Sequence, residues 1–246
     1  MKTPATFLLL AALLAAATAS AQTTFRLGLR GGANRALTTL DGASNGVDGF
    51  TNLSADKSAI YAWQAGAVLE VDFGKFALQP GLVFAQKGER LHTATSSRDI
   101  GFASYIDRTS TNRYNWLELP LNAVYTLHGD HGLQVFAGPY VALAVGGHQR
   151  GTVTNYSAYS WRAQNPMTSE IDAGVVYGPN TNNRRFDAGV NFGVGYRQGP
   201  VQVQLAYGLG LRNLHQPTAA DYAHNFDADA AYNRVAQLTG TYFFAL

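Results

Sequence analysis

The side chains best suited to chemistry in this sequence are charged residues that alternate with apolar ones along extended segments. Their basic and acidic members occur in nearly equal number, which favours ion pairs over a site of one sign. If the polar positions of these segments share one interior, they form a charge network of Arg26, Arg30, Glu70, Asp72, Lys87, Glu118, Asp187, Arg197 and Arg212. We interpret the network as a paired polar core that fixes strand register. A narrow hydrophilic or ion-conducting path is the alternative.

Histidines offer weaker candidates for chemistry. The run His128-Gly129-Asp130-His131 contains metal-type ligands, but these residue types are common in exposed turns, so we predict no metal site and no cofactor. Other histidines lie in polar segments that also contain aspartates: His92, His148, His215 and His224, with Asp99, Asp107, Asp221 and Asp227. Because no spacing signature joins them to a nucleophile, we predict that the protein is not an enzyme.

The longest polar segment, residues 148 to 184, mixes aromatic and amide side chains. Such a mixture can stack on sugars or dock a protein partner. The candidates for binding are Asn155, Tyr156, Tyr159, Trp161, Asn165 and Tyr177. The alternative is that these aromatic rings pack the loops against one another.

Strict alternation of apolar and polar residues identifies the elements that must position these side chains. From Tyr61 to Phe73, Trp63 and Leu69 share the apolar face, whereas Gln64 and Glu70 share the other face. A period of two over more than about 10 residues is typical of a tilted strand that crosses a bilayer. The pattern occurs in Phe25–Asn34, Tyr61–Phe73, Phe76–Lys87, Tyr114–Leu127, Leu133–Gly146, Phe186–Arg197, Val201–Arg212 and Arg234–Leu246.

The connections between these segments alternate between short and long. Tight turns are predicted at Gly74-Lys75, residues 128 to 132 and residues 198 to 200. Long polar loops are predicted at residues 35 to 57, 89 to 113, 148 to 184 and 215 to 233. This arrangement predicts an all-β fold, an eight-stranded antiparallel up-and-down transmembrane β-barrel with both termini on the periplasmic side.

Aromatic residues cluster near both predicted ends of the barrel wall. We expect two interfacial girdles, formed by Phe25, Phe73, Phe76, Tyr125, Tyr196, Tyr242 and Phe244 near the turns, and by Tyr61, Trp63, Phe84, Tyr114, Trp116 and Phe186 near the loops. A soluble eight-stranded barrel would alternate too, but its apolar face would point inward around a ligand.

Composition agrees with a membrane barrel in the outer membrane of a Gram-negative envelope. Charged residues make up 14% of the chain, well below the roughly 25% of soluble domains. The 18 basic and 16 acidic residues form no basic run, which argues against a nucleic-acid partner. Lys2, the apolar stretch Phe7 to Ala17 and the triplet Ala19-Ser20-Ala21 predict a cleaved signal peptide over residues 1–21, followed by one barrel domain over 22–246.

Five short segments, in order along the chain, carry a resemblance to a known family. They are Leu27–Asn34, Leu78–Gly88, Leu117–Leu121, Ala137–Tyr140 and Tyr207–Leu214. Together these segments resemble the PorT-type outer-membrane β-barrel family. The resemblance implies an integral outer-membrane barrel, whose namesake is associated with protein-secretion machinery, and it implies little about activity.

From these observations we predict an integral outer-membrane protein with a structural or interaction role, a plugged lumen and extracellular loops. Its expected partners are outer-membrane lipid and a protein of a secretion or envelope complex. The alternative functions are an accessory of protein secretion and a narrow passive pore.

Overall fold

A computed structural model describes residues 23–41, 47–48, 51–128, 131–159, 162–163, 165–178, 181, 183–216 and 230–245. The predicted signal peptide, residues 1–21, lies outside the described residues and stays a prediction. All regular structure in the described ranges is β-strand. Among these residues there is no helix long and apolar enough to cross a membrane.

The described strands form one antiparallel sheet that closes on itself. Their bounds are β1 Thr24–Asp41, β2 Val47–Asp48, β3 Thr51–Asp72, β4 Phe76–Asp99, β5 Phe102–His128, β6 His131–Tyr159, β7 Arg162–Ala163, β8 Met167–Gly174, β9 Phe186–Gln198, β10 Val201–Gly210 and β11 Ala230–Ala245. Neighbours run in the order β1-β11-β10-β9-β6-β5-β4-β3, and pairing of β1 with β3 completes the ring. The predicted eight-stranded antiparallel barrel is confirmed.

The wall of the barrel is apolar outside and polar inside. On β3, Trp63 is 51% exposed, while its neighbour Gln64 is 5% exposed and points inward. On β10 the apolar residue Leu205 is 57% exposed, and Gln204 next to it is 2% exposed. Because a strand sends successive side chains to opposite faces, the alternation seen in the sequence becomes an apolar outer surface around a polar interior.

The three tight connections lie at one end of the barrel, which we call the turn end; the opposite end is the loop end. At the turn end, β3 and β4 are joined through Gly74, whose φ of 91° suits glycine, and Phe73 donates a backbone hydrogen bond to Phe76. Gly199, with φ 55°, occupies the connection from β9 to β10. These turns hold consecutive strands in register.

At the loop end the strands continue well past the predicted boundaries. The segment 89 to 113 was predicted to be a loop, but β4 and β5 stay paired from Glu89 with Asn112 to Asp99 with Phe102. β6 likewise runs to Tyr159, with β8 paired beside it from His148 to Asn155. Hydrogen bonds between paired strands satisfy the backbone groups of these polar residues as well as water would. The polar composition that predicted a loop is therefore equally compatible with an exposed β-hairpin.

Two residues assigned to the loop-side girdle lie elsewhere. Trp116 is 2% exposed and belongs to an interior cluster with Tyr140 and Leu214, against which Tyr114 packs. The girdle prediction for Trp116 and Tyr114 was therefore wrong. Leu117 faces outward on the same strand, and residues one position apart point to opposite faces, so Trp116 must face inward.

Candidate functional site

Glu70 on β3 is the centre of a charge cluster near the turn end of the interior. Its side chain is fully buried, and it accepts hydrogen bonds from Arg26 at 2.8 Å, from Gln79 at 2.8 Å and from Arg197 at 2.6 and 2.7 Å. Arg26 also bonds to Asp72 at 2.7 Å. We call these five residues the Glu70 cluster. Both oxygens of Glu70 are occupied by donors, and the two arginines balance the two carboxylates.

The contact between Glu70 and Arg197 crosses the barrel. β3 and β9 lie four strands apart in either direction around the ring, so the two side chains reach each other from opposite walls. Arg197 is oriented further by a hydrogen bond from Nε to the backbone oxygen of Gly199 at 3.0 Å and by the ring of Phe243, 4.8 Å away. Nη1 of Arg197 contacts both oxygens of Glu70 while Nε is held by Gly199, and this charge-assisted contact gives the pair a defined geometry.

Amide side chains fill the next layer of the interior. Gln202 donates to Gln134 at 2.6 Å, and Gln134 donates to Thr126 at 2.9 Å. Arg30 is 9% exposed and donates to Gln204 at 2.9 Å and to Thr241 at 3.1 Å. Among the described residues it makes no ion pair with a carboxylate. The guanidinium is therefore held by neutral acceptors in this layer.

Lys87 on β4 is the centre of a second cluster toward the loop end. It forms an ion pair with Glu118 and lies 3.8 Å from Asp187, which also accepts hydrogen bonds from Tyr140 at 3.1 Å and Asn233 at 2.8 Å. The ammonium lies 4.7 Å from the Tyr140 ring centre. We call these five residues the Lys87 cluster. One cation shared by two buried carboxylates leaves this cluster negative by one charge, opposite in sign to Arg30.

Close packing against the Tyr140 ring requires a glycine on the next strand. A Cβ built on Gly189 would lie 2.7 Å from Cε1 of Tyr140, inside the distance that real atoms adopt. The ring can therefore lie flat against β9 and direct its hydroxyl to Asp187. A Cβ at this position would also clash with the backbone oxygen of Leu209, so both neighbouring strands require glycine here.

The structure brings together eight of the nine charged residues predicted to share the interior, and it separates one of them. The eight form the two clusters and the amide layer: Arg26, Arg30, Glu70, Asp72, Lys87, Glu118, Asp187 and Arg197. Arg212 was predicted to face inward, but it is exposed and its guanidinium lies 4.8 Å from the ring of Phe186. Because β10 ends at Gly210, strand alternation no longer applies at position 212.

Glu89 is an interior carboxylate that the sequence reasoning missed. It is 2% exposed, and its Oε1 accepts hydrogen bonds from Asn112 at 2.7 Å and from Tyr114 at 3.0 Å. The sequence contained the information needed to find it, because Glu89 lies two residues after Lys87 and therefore shares the inward face if the strand continues. Ending the predicted strand at Lys87 hid it. Nearby, burial and the charge of Glu89 raise the pKa of the Tyr177 hydroxyl, which donates to the Gly146 oxygen.

The described members of the predicted loop-binding set are distributed over more than one face of the loop end. Asn155 and Tyr159 are exposed on β6, and Tyr156 lies on its other face. Asn165 is exposed outside the strands, whereas Tyr177 lies beside the barrel interior and packs against the Trp116 cluster. Trp161 lies outside the described residues. The proposal that these side chains form a shared ligand surface receives no support from their positions.

Histidines at the loop end pair with aspartates on the extended strands. His92 lies 3.0 Å from the Thr109 hydroxyl and 3.7 Å from Asp107, and His148 lies 2.5 Å from Asp172. At the turn end, the rings of His128 and His131 stack with centres 5.9 Å apart. In the described part of the chain no group of three or more His, Asp or Glu could hold a metal ion. His224, Asp221 and Asp227 lie outside it.

Comparison with known proteins agrees with the observed wall. A sequence profile for the outer membrane protein beta-barrel domain matches residues 20–216, most of the chain. No curated protein matches the sequence.

Three solved structures are similar at low identity. Ail, the attachment invasion locus protein of Yersinia pestis, is 9% identical, with 90% of this chain and 99% of that chain covered and a TM-score of 0.39. Neisserial surface protein A is 9% identical, with coverages of 89% and 97% and a TM-score of 0.35. OprG from Pseudomonas aeruginosa is 13% identical, with coverages of 92% and 99% and a TM-score of 0.37.

The apolar outer wall, the closed ring of strands and the profile match point to one location and one family. An apolar belt around a closed barrel is the surface that lipid requires, since closure of the ring leaves no open sheet edge toward the lipid. The protein is located in the outer membrane, and the chain belongs to the family of outer membrane protein β-barrel domains.

Proposed function

We propose that this protein has a structural or interaction role in the outer membrane, with a lumen closed to ions and a loop end that faces the outside of the cell. In this proposal the barrel anchors and orients the extended strands, and the strands meet a partner. The interior charges then serve stability rather than transport.

Contacts between opposite walls carry the proposal of a closed lumen. Glu70 meets Arg197 across the barrel at 2.6 Å, and Gln79 reaches Gln202, on another opposed pair of strands, at 3.4 Å. An eight-stranded barrel has an interior just wide enough for side chains to fill. Between these layers and the Lys87 cluster, the cavity lined by Arg30 and Glu118 has a volume of about 20 Å³, which suits a single water molecule.

The extended strands support an interaction role. β5 has 27 residues and β6 has 29, whereas about 10 residues cross a bilayer. Apolar side chains are exposed on this extension, including Ile100 at the hairpin tip, Ile106 on β5 and Met167 on β8. Ile106 and Met167 flank Asn155 in one row across β5, β6 and β8, and adjoining exposed apolar groups are a feature of protein-binding sites.

We infer further that the chain is of the PorT type. The inference is supported by the five segments from Leu27–Asn34 to Tyr207–Leu214 that resemble this family. They occur in the order found in the family and extend over most of the barrel. A role as an accessory of protein secretion would follow from it, with the extended strands as the contact surface.

Planar-bilayer conductance of the purified full chain tests the closed lumen. The wild-type protein is expected to give no steady current, because side chains from opposite walls are in contact. The double variant Glu70→Ala/Arg197→Ala removes the crossing pair and is expected to admit small, frequent current steps. Steady conductance of the wild-type barrel would overturn the proposal and favour a passive pore.

Crosslinking in native membranes tests the interaction role. Chemical crosslinking followed by purification is expected to recover one specific protein, and replacement of Ile100 and Ile106 by serine is expected to reduce its yield. As a matched control, Leu205→Ser alters an apolar residue of the lipid-facing wall. Recovery of no specific protein, or equal recovery by the Ile100 and Ile106 variants, would contradict this role.

A further inference from the structure

A cavity of about 100 Å³ lies in the barrel interior toward the loop end, beyond the Lys87 cluster. Its lining includes Glu89, Tyr114 and Trp116 from β4 and β5, with Tyr177 and Arg184 from the segment before β9. Lys57 of β3 also lines it. A cavity of 150 Å³ holds benzene, a molecule of six heavy atoms. In proportion, this cavity suits a compact ligand of about four to five heavy atoms.

Two buried polar atoms in the lining have no hydrogen-bond partner among the described residues. They are Oε2 of Glu89 and Nε1 of Trp116, and each of these side chains is 2% exposed. A buried polar atom left without a partner destabilises the fold, and such atoms are rare in native proteins. The carboxylate oxygen needs a donor and the indole N–H needs an acceptor, so a matching ligand carries both.

Residues of both charge signs line this cavity. Glu89 is anionic, and its Oε1 is already occupied by Asn112 and Tyr114, which leaves Oε2 as the free anionic position. Arg184 is only half-buried, and its backbone N–H donates to the Leu214 oxygen at 3.0 Å. Water molecules could satisfy the two unpartnered atoms, but they carry no charge to complement Glu89 and Arg184 together.

We propose that this cavity binds a small zwitterion, an α-amino acid with little or no side chain. Its ammonium donates to Oε2 of Glu89, and its carboxylate accepts from Nε1 of Trp116 in a lining that also contains Arg184. The rings of Tyr114 and Tyr177 provide faces that attract an ammonium group. A simple cation would leave the Trp116 N–H unpartnered, and a simple anion would face the Glu89 carboxylate.

Binding of glycine to the purified full chain in detergent tests the proposal. Titration calorimetry with glycine is expected to show saturable binding, and tryptophan fluorescence is expected to change with it. Methylammonium and acetate supply each half of the ligand separately and are expected to bind at least tenfold more weakly. Equal binding of either half, or no saturable binding of glycine, overturns the proposal.

Three variants assign the residues. Glu89→Gln, which keeps the shape of the side chain, is expected to weaken glycine binding at least tenfold, and Trp116→Phe is expected to weaken it and abolish the fluorescence change. Glu170→Gln is the matched control, since Glu170 is exposed on β8. Heat-modifiable migration on a gel reports whether each barrel is folded.

Arg184→Met provides a second route if the Glu89 variant does not fold. Arg184 lies outside the strands and is half-buried, so its loss is expected to leave the barrel folded and to weaken glycine binding several-fold. Weakened binding with methylammonium unaffected supports the zwitterion. Wild-type affinity for glycine in a folded Arg184→Met or Glu89→Gln variant overturns it.

Discussion

Glu70 and Glu89 are both buried glutamates of the same barrel interior, yet their surroundings differ. Glu70 is surrounded by two arginines and a glutamine that occupy both of its oxygens. Glu89 receives two neutral donors on one oxygen and none among the described residues on the other. The two carboxylates are therefore equally buried but differ in whether both oxygens accept hydrogen bonds from the described residues.

The closed ring of strands explains this difference. Direct pairing of β1 with β3 ends at Ala36 with Ile60, and pairing of β6 with β9 ends at Leu143 with Phe186. Glu89 pairs with Ala59, just beyond this limit. Around Glu70 the ring is complete and the opposite wall supplies Arg197. Around Glu89 the described strands no longer form a complete ring, and a cavity takes the place of the opposing side chain.

The largest expected effect comes from removing the centre of the Glu70 cluster. Glu70→Ala leaves Arg197 and Arg26 without their shared carboxylate, and breaking a buried ion pair in this way lowers the free energy of unfolding by about 3–5 kcal/mol. Denaturant unfolding followed by tryptophan fluorescence measures the loss. The exposed Glu170 provides the control, since Glu170→Ala is expected to change stability by less than about 0.5 kcal/mol. Equal midpoints for the two variants would contradict the comparison.

A smaller effect is expected in the Lys87 cluster. Glu118→Ala removes the ion-pair partner of Lys87 but leaves Asp187 at 3.8 Å, so the expected loss is about 2 kcal/mol, below that of an unpaired buried charge. The heat-modifiable band on a gel should disappear at a lower temperature. Adding Lys87→Met is expected to deepen the loss, because the buried Asp187 carboxylate then loses the ammonium that faces it. Unchanged migration of the single variant would count against the pairing.

The smallest expected effect concerns alkaline pH at the loop end. The pKa of Tyr177 is raised above its ordinary value near 10 by burial and by the charge of Glu89. The unfolded chain therefore loses this proton at lower pH than the folded chain, and the free energy of unfolding falls as pH rises above about 10. Tyr177→Phe is expected to make that fall shallower. Glu89→Gln is expected to do so less, because it removes only the electrostatic part; a steeper fall in either variant would contradict this origin.

The alternation of apolar and polar residues made most of the barrel wall predictable, but it did not predict where the strands end at the loop end. Trp63 outward and Gln64 inward follow from one rule of side-chain direction. The same rule failed at Arg212, because β10 ends at Gly210. The predicted strand also ended too early, at Lys87, because the polar residues after it resembled a loop. In the structure these residues pair with β5 as far as Asp99. Local composition does not reveal where ladder pairing ends.

The sequence by itself determined a barrel of eight alternating strands, an apolar outer face and a nearly neutral set of interior charges, because these follow from a period of two along each strand. Only the tertiary structure decided which charges meet. Arg197 reaches Glu70 across 127 positions of the chain, and Arg30 faces neutral acceptors instead of a carboxylate. Such pairings depend on the register and closure of the ring, which are properties of all eight strands together and of no single segment.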